Sequence, residues 1–580
     1  MFHKLNFIIG EKNINKIIYF LFFNLIYFLL EFLSLVSLPL LISFIVDSNF
    51  IIKKLNIFLY NYKLNELNNN SLLSILITLV IIVFLLKNLF LIFITFLQNN
   101  FLMKIKVNLS NKLFLFYINS SYLYHVNNNP SKLSRNISDE IQGLYTYFFH
   151  LSTFFRECFT VFIIFFILIF VNFYLTLLII IFFLTISLFY LKLIKPYLKK
   201  KAIENQNMRQ IITQIIYETF GSIKDLKILN KENQIINFFN KNINIYEKNL
   251  LYFRYFDKLP RIFLELLSII ILCLISFFYI NLGHDYKIFI PTLSLLAISF
   301  IRFAPAFSSI TTSLYYLKLF EPTTDLIFLE LKNIDNSKIN NLVKINENIN
   351  NLNRESKNKF IFLNDITFSY PGSKFFPVKN ITMNINEGTI VGITGETGAG
   401  KSTLFHLMLG LLTPQQGNIF YKGKSIFSDL SSWRKEIGYI SQNIYLLDGS
   451  IKKNIAFNFF NEKIDDLKLE SCLKIAGLDK KIKQLKHGLE SEVGVEGLRF
   501  SGGERQRIAI ARAIYKEPNI IFMDESTSAL DDKTEEIVIS NLFNAFKDKT
   551  IVIISHRKST INLCNVVWNL KNGILSVGKI

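Results

Sequence analysis

Three short stretches of the chain carry residue types arranged for phosphate chemistry. In Gly395-Glu396-Thr397-Gly398-Ala399-Gly400-Lys401-Ser402-Thr403 the glycines fall where successive backbone N–H groups must turn toward phosphate oxygens. The apolar run 389–393 precedes this loop and Leu404-Phe405-His406-Leu407 follows it, so a strand should enter and a helix leave. The helix N-terminus then adds its positive dipole end. Lys401 is expected to reach the β- and γ-phosphates, and the Ser402 hydroxyl to bind Mg²⁺. The second stretch, Ile520-Ile521-Phe522-Met523-Asp524-Glu525, reads as a buried strand ending in two carboxylates. Asp524 at the strand end suits Mg²⁺, and Glu525 one residue on suits an attacking water, as general base or polariser. In the third, Phe500-Ser501-Gly502-Gly503-Glu504-Arg505-Gln506-Arg507, Ser501 and Gly503 open a further helix whose N-terminus also suits an anion. One chain already has its phosphate loop. A second phosphate-binding helix makes sense if it serves the nucleotide of another copy.

That third stretch resembles the signature of the ABC ATPases, with Phe500 and Glu504 standing where the family usually has Leu and Gln. The resemblance implies ATP and Mg²⁺ as cofactors and a head-to-tail sandwich of two ATPase domains. Other landmarks fall in order over 358–580. Tyr370 in Phe368-Ser369-Tyr370-Pro371-Gly372 looks like the aromatic that stacks on adenine. Gln442 matches the Q-loop glutamine, which touches both Mg²⁺ and the membrane domain. His556, after the apolar run 550–555, matches the switch histidine at the γ-phosphate, and Asp531 the D-loop aspartate at the dimer interface. By this resemblance the catalytic set is Glu525, His556 and Gln442, the metal set Ser402, Gln442 and Asp524. A homodimer would hold two equivalent, competent ATP sites.

These residues need a scaffold, and the composition shows it to be divided. Half the chain, 51%, is hydrophobic and 59 residues are Phe, yet the apolar excess lies mostly before residue 320. A bilayer core takes about 20 apolar residues per helix. Six segments qualify, at about 17–46, 71–98, 145–170, 173–192, 259–281 and 287–318. The long segments 99–147 and 193–258 are rich in Lys and Arg and keep apolar periodicity, whereas the turns near Asn172 and 281–285 carry almost no charge. The positive-inside rule puts the long loops, both termini and the ATPase in the cytoplasm, with the helices continuing beyond the membrane. The net charge of +20 is explained by that topology and by anionic head groups, so no nucleic-acid partner is expected. Cys158, Cys273, Cys472 and Cys564 have no metal-like spacing. The first apolar run is too long for a cleavable signal peptide and should remain a span. The expected fold is an α-helical six-span membrane domain with long cytoplasmic extensions over 1–332, a polar linker over 333–357, and an α/β P-loop ATPase domain over 358–580.

One chain carrying six spans and an ATPase points to an exporter or flippase. Ser121-Tyr122-Leu123-Tyr124-His125 and Gly221-Ser222-Ile223-Lys224-Asp225 resemble the coupling helices of exporters, and 491–497 resembles their X-loop, with Val495 where an acid is frequent. The segment 50–62 has Ile51, Leu55, Phe58 and Tyr62 at helical spacing, as an amphipathic helix at the outer interface would, or an ordered loop packed on its own spans. Glu31, Lys87, Arg156, Glu157, Arg261, Glu265 and Arg302 lie inside spans, where ionisable groups mark pathways by default. Lys87, Arg156 and Arg302 sit about 14–16 residues in, roughly 21–24 Å from the outer ends at 1.5 Å per residue. They either ring an anionic head group or pair with Glu31 and Glu157. The outer segment, 259–265 and the Tyr-His coupling segment resemble the bacterial lipid-linked oligosaccharide flippases. This likeness implies outward flipping of a polyprenyl-pyrophosphate glycan across the inner membrane, with membrane lipids and that substrate as partners. Exporters of lipid A, phospholipid, peptide or hydrophobic small molecules would share the same ATPase.

Overall fold

The computed structural model describes residues 4, 7–8, 10, 14–46, 69–171, 173–281, 286–347, 359–373, 375–459, 463–494, 497, 499–525 and 530–577. The proposed outer helix at 50–62 and the turns at 172 and 282–285 lie outside them. The chain forms two compact units, Met1–Asn119 with Asn128–Asn336, and Ser120–Asn127 with Ser337–Ile580.

The first unit is helical. Its elements are α1 (Ile14–Val46), α2 (Asn69–Asn119), then, beyond the short α3 (Tyr122–Asn127) that belongs to the second unit, α4 (Pro130–Arg135), a π-helical turn Asn136–Glu140, and α5 (Ile141–Val171). There follow α6 (Phe173–Gly221), α7 (Ile223–Ile228), α8 (Glu232–Asn281), α9 (Tyr286–Leu319) and α10 (Glu321–Glu347). Five helices among the described residues are long and apolar enough to cross a membrane, and the expected fourth span, 173–192, lies within α6. With 51, 49 and 50 residues, α2, α6 and α8 would each reach about 75 Å, far beyond a core of about 30 Å. The expected extensions are therefore unbroken continuations of the spans. Leu85, Leu86, Leu89, Ile92 and Phe96 on α2, and Ile262, Phe263, Leu266 and Ile269 on α8, are exposed, which suits a lipid solvent. The core lies between α1, α5, α8 and α9, around Leu35, Ile164, Leu264, Phe300 and Phe303. The polar stretch from 333 continues α10 as far as Glu347. Its Asn, Lys and Ser residues disguise a helix that a composition-based boundary misses.

The second unit is α/β. Its elements after α3 are β1 (Ile361–Phe368), β2 (Val378–Ile385), β3 (Ile390–Thr394), α11 (Lys401–Met408), β4 (Gln416–Tyr421), β5 (Lys424–Ser425), α12 (Leu430–Lys435) and β6 (Ile437–Ile440). Next come α13 (Ile451–Ala456), α14 (Asp466–Ile475), α15 (Asp479–Gln484), α16 (Gly502–Tyr515), β7 (Ile520–Asp524), α17 (Asp532–Ala545), β8 (Thr550–Ile554), α18 (Lys558–Ile561), β9 (Val566–Lys571) and β10 (Ile574–Val577). One sheet is antiparallel in the order β2-β1-β4-β5, and the other runs β10-β9-β3-β8-β7-β6. In the latter β9, β3, β8, β7 and β6 are parallel, and their near-continuous Val and Ile runs are what burial on both faces requires. Parallel neighbours bring their carboxyl ends to one edge, where open α/β sheets bind ligands.

Candidate active site

The register of the parallel strands assembles the site. Asp524 pairs with Ile554, Ile393 with Ile554, and Ile440 with Met523. The phosphate loop after β3, His556 after β8, Glu525 after β7 and Gln442 after β6 therefore leave one sheet edge side by side. Sequence distances of up to 160 residues collapse to adjacent strand ends.

The loop itself is held by glycine. Gly395, Gly398 and Gly400 have φ of 149°, 84° and 104°. A Cβ on Gly400 would stand 1.9 Å from the Pro377 carbonyl oxygen, and one on Gly395 2.2 Å from that of Leu570. No side chain fits at either position. Gly400 caps α11, whose first residue, Lys401, donates from Nζ to the Gly395 and Glu396 carbonyls at 2.7 and 3.0 Å. The lysine thus lies folded against the loop it is expected to serve. Burial pushes its ammonium below the usual lysine range, while Glu525 and Asp524 pull it back up. Ser402 is exposed and Thr403 buried beneath it; the Thr403 hydroxyl lies 3.4 Å from that of Tyr370. Tyr370, whose ring also meets Phe368 edge-on at 5.2 Å, is therefore anchored beside the loop.

Glu525 is gripped from two sides. Gln442 Nε2 donates to its Oε2 at 2.8 Å, and His556 Nε2 lies 3.2 Å from its Oε1. Its backbone N–H donates to the Ile554 carbonyl at 3.1 Å, and its φ of 44° is one a non-glycine residue rarely adopts. Asp524, buried at the strand end, has its carboxyl pushed up to about 6 by burial and by the neighbouring Glu525, with Lys401 opposing. A buried carboxylate crowded by a second one is a place for a cation. Ser402, Gln442 and Asp524 together present the oxygen donors that a hard divalent ion such as Mg²⁺ takes. No group of three or more His, Cys, Asp or Glu among the described residues could hold a metal by itself, so an ion here would also need hydroxyl, amide or nucleotide oxygens.

Ser501 is the N-cap of α16 and forms a full capping box with Glu504. The Ser501 amide donates to Glu504 Oε2 at 2.9 Å, and the Glu504 amide to Ser501 Oγ at 3.2 Å. Gly502 and Gly503 form the first turn, which lets another group approach the backbone closely. Phe500 packs against the core beneath α16, so an aromatic ring is accommodated where Leu is usual. Asp531 caps α17 by accepting from the Thr534 amide at 3.1 Å. Residues 526–529, and Val495 and Glu496 of the expected X-loop, lie outside the described residues.

Several partners carried no sequence signal. Arg557, next to His556, donates to Asp532 at 3.1 Å, to the Leu530 carbonyl at 3.0 Å and to Glu535, tying the histidine loop to the start of α17. Arg512 on α16 donates to the Asn454 carbonyl and side chain and to the Tyr445 carbonyl, bracing the segment after Gln442. Tyr122 of α3 meets His406 of α11 edge-on at 5.2 Å, and Leu123 packs on the core of the second unit.

In the first unit the basic residues are engaged. Lys87 and Glu31, both fully buried, pair at 2.8 Å, and Lys87 Nζ also lies 3.3 Å from the Ser34 hydroxyl. Arg302, 38% exposed, approaches the same Glu31 at 3.4 Å, while Arg156 pairs with Glu157 at 3.2 Å. Arg261 and Glu265 form an exposed pair at 2.8 Å.

Residues 378–528 match the family model for the ABC transporter ATPase, and 21–300 that for the ABC transporter transmembrane region, about three quarters of the chain together. The chain belongs to the ABC transporters. Its membrane region and ATPase are fused in one polypeptide, as in a half-transporter. It is 36% identical over 221 residues to the leukotoxin export ATP-binding protein LtxB of Aggregatibacter actinomycetemcomitans, covering 38% of this chain and 31% of that one. It is also 36% identical over 209 residues to the ATP-dependent lipid A-core flippase of Pectobacterium atrosepticum, covering 36% of each. The matched stretch thus spans about a third of the length of these relatives. Over 98% of this chain and 95% of the other, the fold is that of a bacterial Atm1-family ABC exporter solved with ATP bound, with a TM-score of 0.67 and 19% identity.

Proposed function

We propose that this ABC transporter hydrolyses Mg-ATP and uses it to export or flip an amphipathic substrate across a bacterial inner membrane, working as a homodimer with two shared ATP sites. The observation that carries the ATPase reading is the clasp on Glu525. A carboxylate held by Gln442 and His556, one residue beyond Asp524 and at the same sheet edge as the phosphate loop, supports Glu525 as the group that meets the attacking water. On binding, Lys401 exchanges its bonds to the Gly395 and Glu396 carbonyls for phosphate oxygens, and Tyr370 offers its ring to the adenine. Bound Mg²⁺ would rest on Ser402, Gln442 and Asp524 and neutralise phosphate charge. Glu525 accepts or polarises the water proton, and His556, which contacts both the γ-phosphate and Glu525, reports whether the phosphate is present. Ser501, Gly502 and Gly503 contribute their N-terminus to the nucleotide of the other copy, and Asp531 lies at that interface.

The cargo reading is a lipid-linked anion, with a polyprenyl-pyrophosphate glycan as the specific candidate. Its support is the charge count in the membrane unit, where, among the described residues, Lys87, Arg156 and Arg302 pair with Glu31 and Glu157. Arg302 shares a carboxylate with Lys87 and is the most exposed of the three, so the excess charge falls to it. An anionic head group would complete the balance that an apolar medium demands. Exporters of lipid A, phospholipids, peptides or hydrophobic small molecules carry the same kind of ATPase, so cargo must be tested directly. In proteoliposomes containing a fluorescent lipid-linked glycan, ATP should drive translocation by the wild type and not by Glu525→Gln. Arg302→Ala should lower translocation about tenfold with ATPase retained. Equal translocation by wild type and Glu525→Gln would rule out ATP-driven flipping of this lipid.

A further inference from the structure

The signature helix carries a charge that its function argues against. Glu504 is a carboxylate where the family usually has a neutral glutamine, and it sits in the first turn of α16 with Ser501. As a capping residue it is a good choice, because the box accepts Glu or Gln and the helix dipole favours an acid there. For a helix end that must receive a triphosphate it is a poor one, since a like charge beside the anion opposes binding.

The structure supplies the compensation. Lys481 on α15 places Nζ 3.1 Å from Glu504 Oε1, while the other oxygen, Oε2, accepts from the Ser501 amide at 2.9 Å. Both carboxylate oxygens are thereby engaged, and Glu504 is only 14% exposed where Lys481 is 45% exposed. Burial alone would raise the Glu504 carboxyl, but the Ser501 amide and Lys481 outweigh it and keep it below the usual carboxylate range. The acid is held ionised and its charge is matched.

We infer that Lys481 is an electrostatic positioning residue of the composite ATP site, cancelling the Glu504 carboxylate so that the signature helix can still receive a triphosphate. The inference rests on the reading above, in which this helix serves a nucleotide bound by a second copy. It differs from a purely architectural role in the sign of its effects. Counting Lys481 and Glu504 alone, the helix end carries no net charge in the wild type. It carries one positive charge in Glu504→Gln, one negative charge in Lys481→Ala, and none in the double variant.

The test is the ATP dependence of hydrolysis by the full-length protein in nanodiscs with Mg-ATP. KM should rise about three- to tenfold in Lys481→Ala, fall about twofold in Glu504→Gln, and return near wild type when the two are combined. The differences should shrink as salt is raised, because Lys481 is solvent-exposed. Lys481→Arg should behave as wild type, which guards against a variant that merely misfolds. An unchanged KM in Lys481→Ala, or a rise in both single variants, overturns the inference. A Gly503→Asp control separates the two levels of failure. If it abolishes hydrolysis while the charge series is flat, Lys481 alone is misassigned. If it leaves hydrolysis unmoved as well, the signature does not serve nucleotide and the inference falls with that reading.

Discussion

At the scale of single residues, Asp524 combines a large electrostatic cost with an expected role. Its carboxyl is pushed up from an ordinary 3.8 to about 6 because burial and Glu525 both disfavour its charge. The folded state therefore holds this proton more tightly than the unfolded chain does. Stability from this group is fully present below pH 4 and is lost as pH rises through about 6, a difference of roughly 3 kcal/mol from two pH units. Above that range an ionised, buried Asp524 is a standing cost of the nucleotide-free site. We expect Asp524→Asn to raise the melting temperature of the nucleotide-free protein at pH 7.5, with the gain fading toward pH 4. It should abolish Mg-dependent turnover at every pH. Thermal unfolding across pH checks the first expectation, and a gain independent of pH would refute the electrostatic origin. Lys87 and Glu31 differ in kind, since they neutralise each other at 2.8 Å while fully buried. Removing Glu31 leaves the buried Lys87 ammonium without its carboxylate, typically costing about 3–5 kcal/mol.

At the scale of elements, the sequence was clearest where chemistry restricts residue type and least clear where packing decides. The glycine spacing of the phosphate loop is dictated by backbone angles, so it is visible in the letters. Gly400 has φ 104° and no room for a Cβ, whereas Gly398 has φ 84° with open space around it. Gly400→Ala should therefore abolish ATP binding and destabilise the second unit by at least about 2 kcal/mol. Gly398→Ala should cost about 1 kcal/mol, the price of the left-handed backbone alone. Melting curves and ATP titration separate the two, and equal losses would refute the steric argument. The six apolar runs were equally readable, because lipid imposes a length. The helical start of 333–357 was not, since its polar residues match a linker as well as a helix surface. Nor were Arg512 with Asn454, or Arg557 with Glu535, because partners 58 and 22 residues apart meet only through the fold. The short α3 shows the same limit. Its likeness to a coupling helix was legible, but not that Tyr122 would meet His406, on the very helix that Lys401 begins. Tyr122→Ala should lower substrate-stimulated turnover several-fold more than basal turnover, measured in the same nanodiscs with and without substrate.

At the scale of the whole molecule, the decisive question is which phosphate loop each signature helix serves. Within one chain the phosphate loop, Gln442, Asp524, Glu525 and His556 converge at one sheet edge, each at the end of a strand in a continuous parallel run. Ser501 begins a helix that leads into β7 from the opposite end of that strand, because α16 ends at Tyr515 and β7 starts at Ile520. The helix start follows α15 rather than a strand, so the register that gathers the others does not fix its place. A signature supplied by a second copy resolves this, and it makes a prediction that no single-chain arrangement shares. Let one chain carry Lys401→Ala and the other Gly503→Asp. Each homodimer should be inactive, since both of its sites contain a damaged half. The mixed dimer should contain one site with both halves damaged and one with both intact. Co-expression with two affinity tags and tandem purification should therefore recover measurable ATP hydrolysis from two inactive parents. If every chain's signature served its own loop, each chain in the mixture would still carry its lesion, and no activity would return. Recovery in the mixed dimer would identify the working unit as the pair, with each chain completing the chemistry that the other begins.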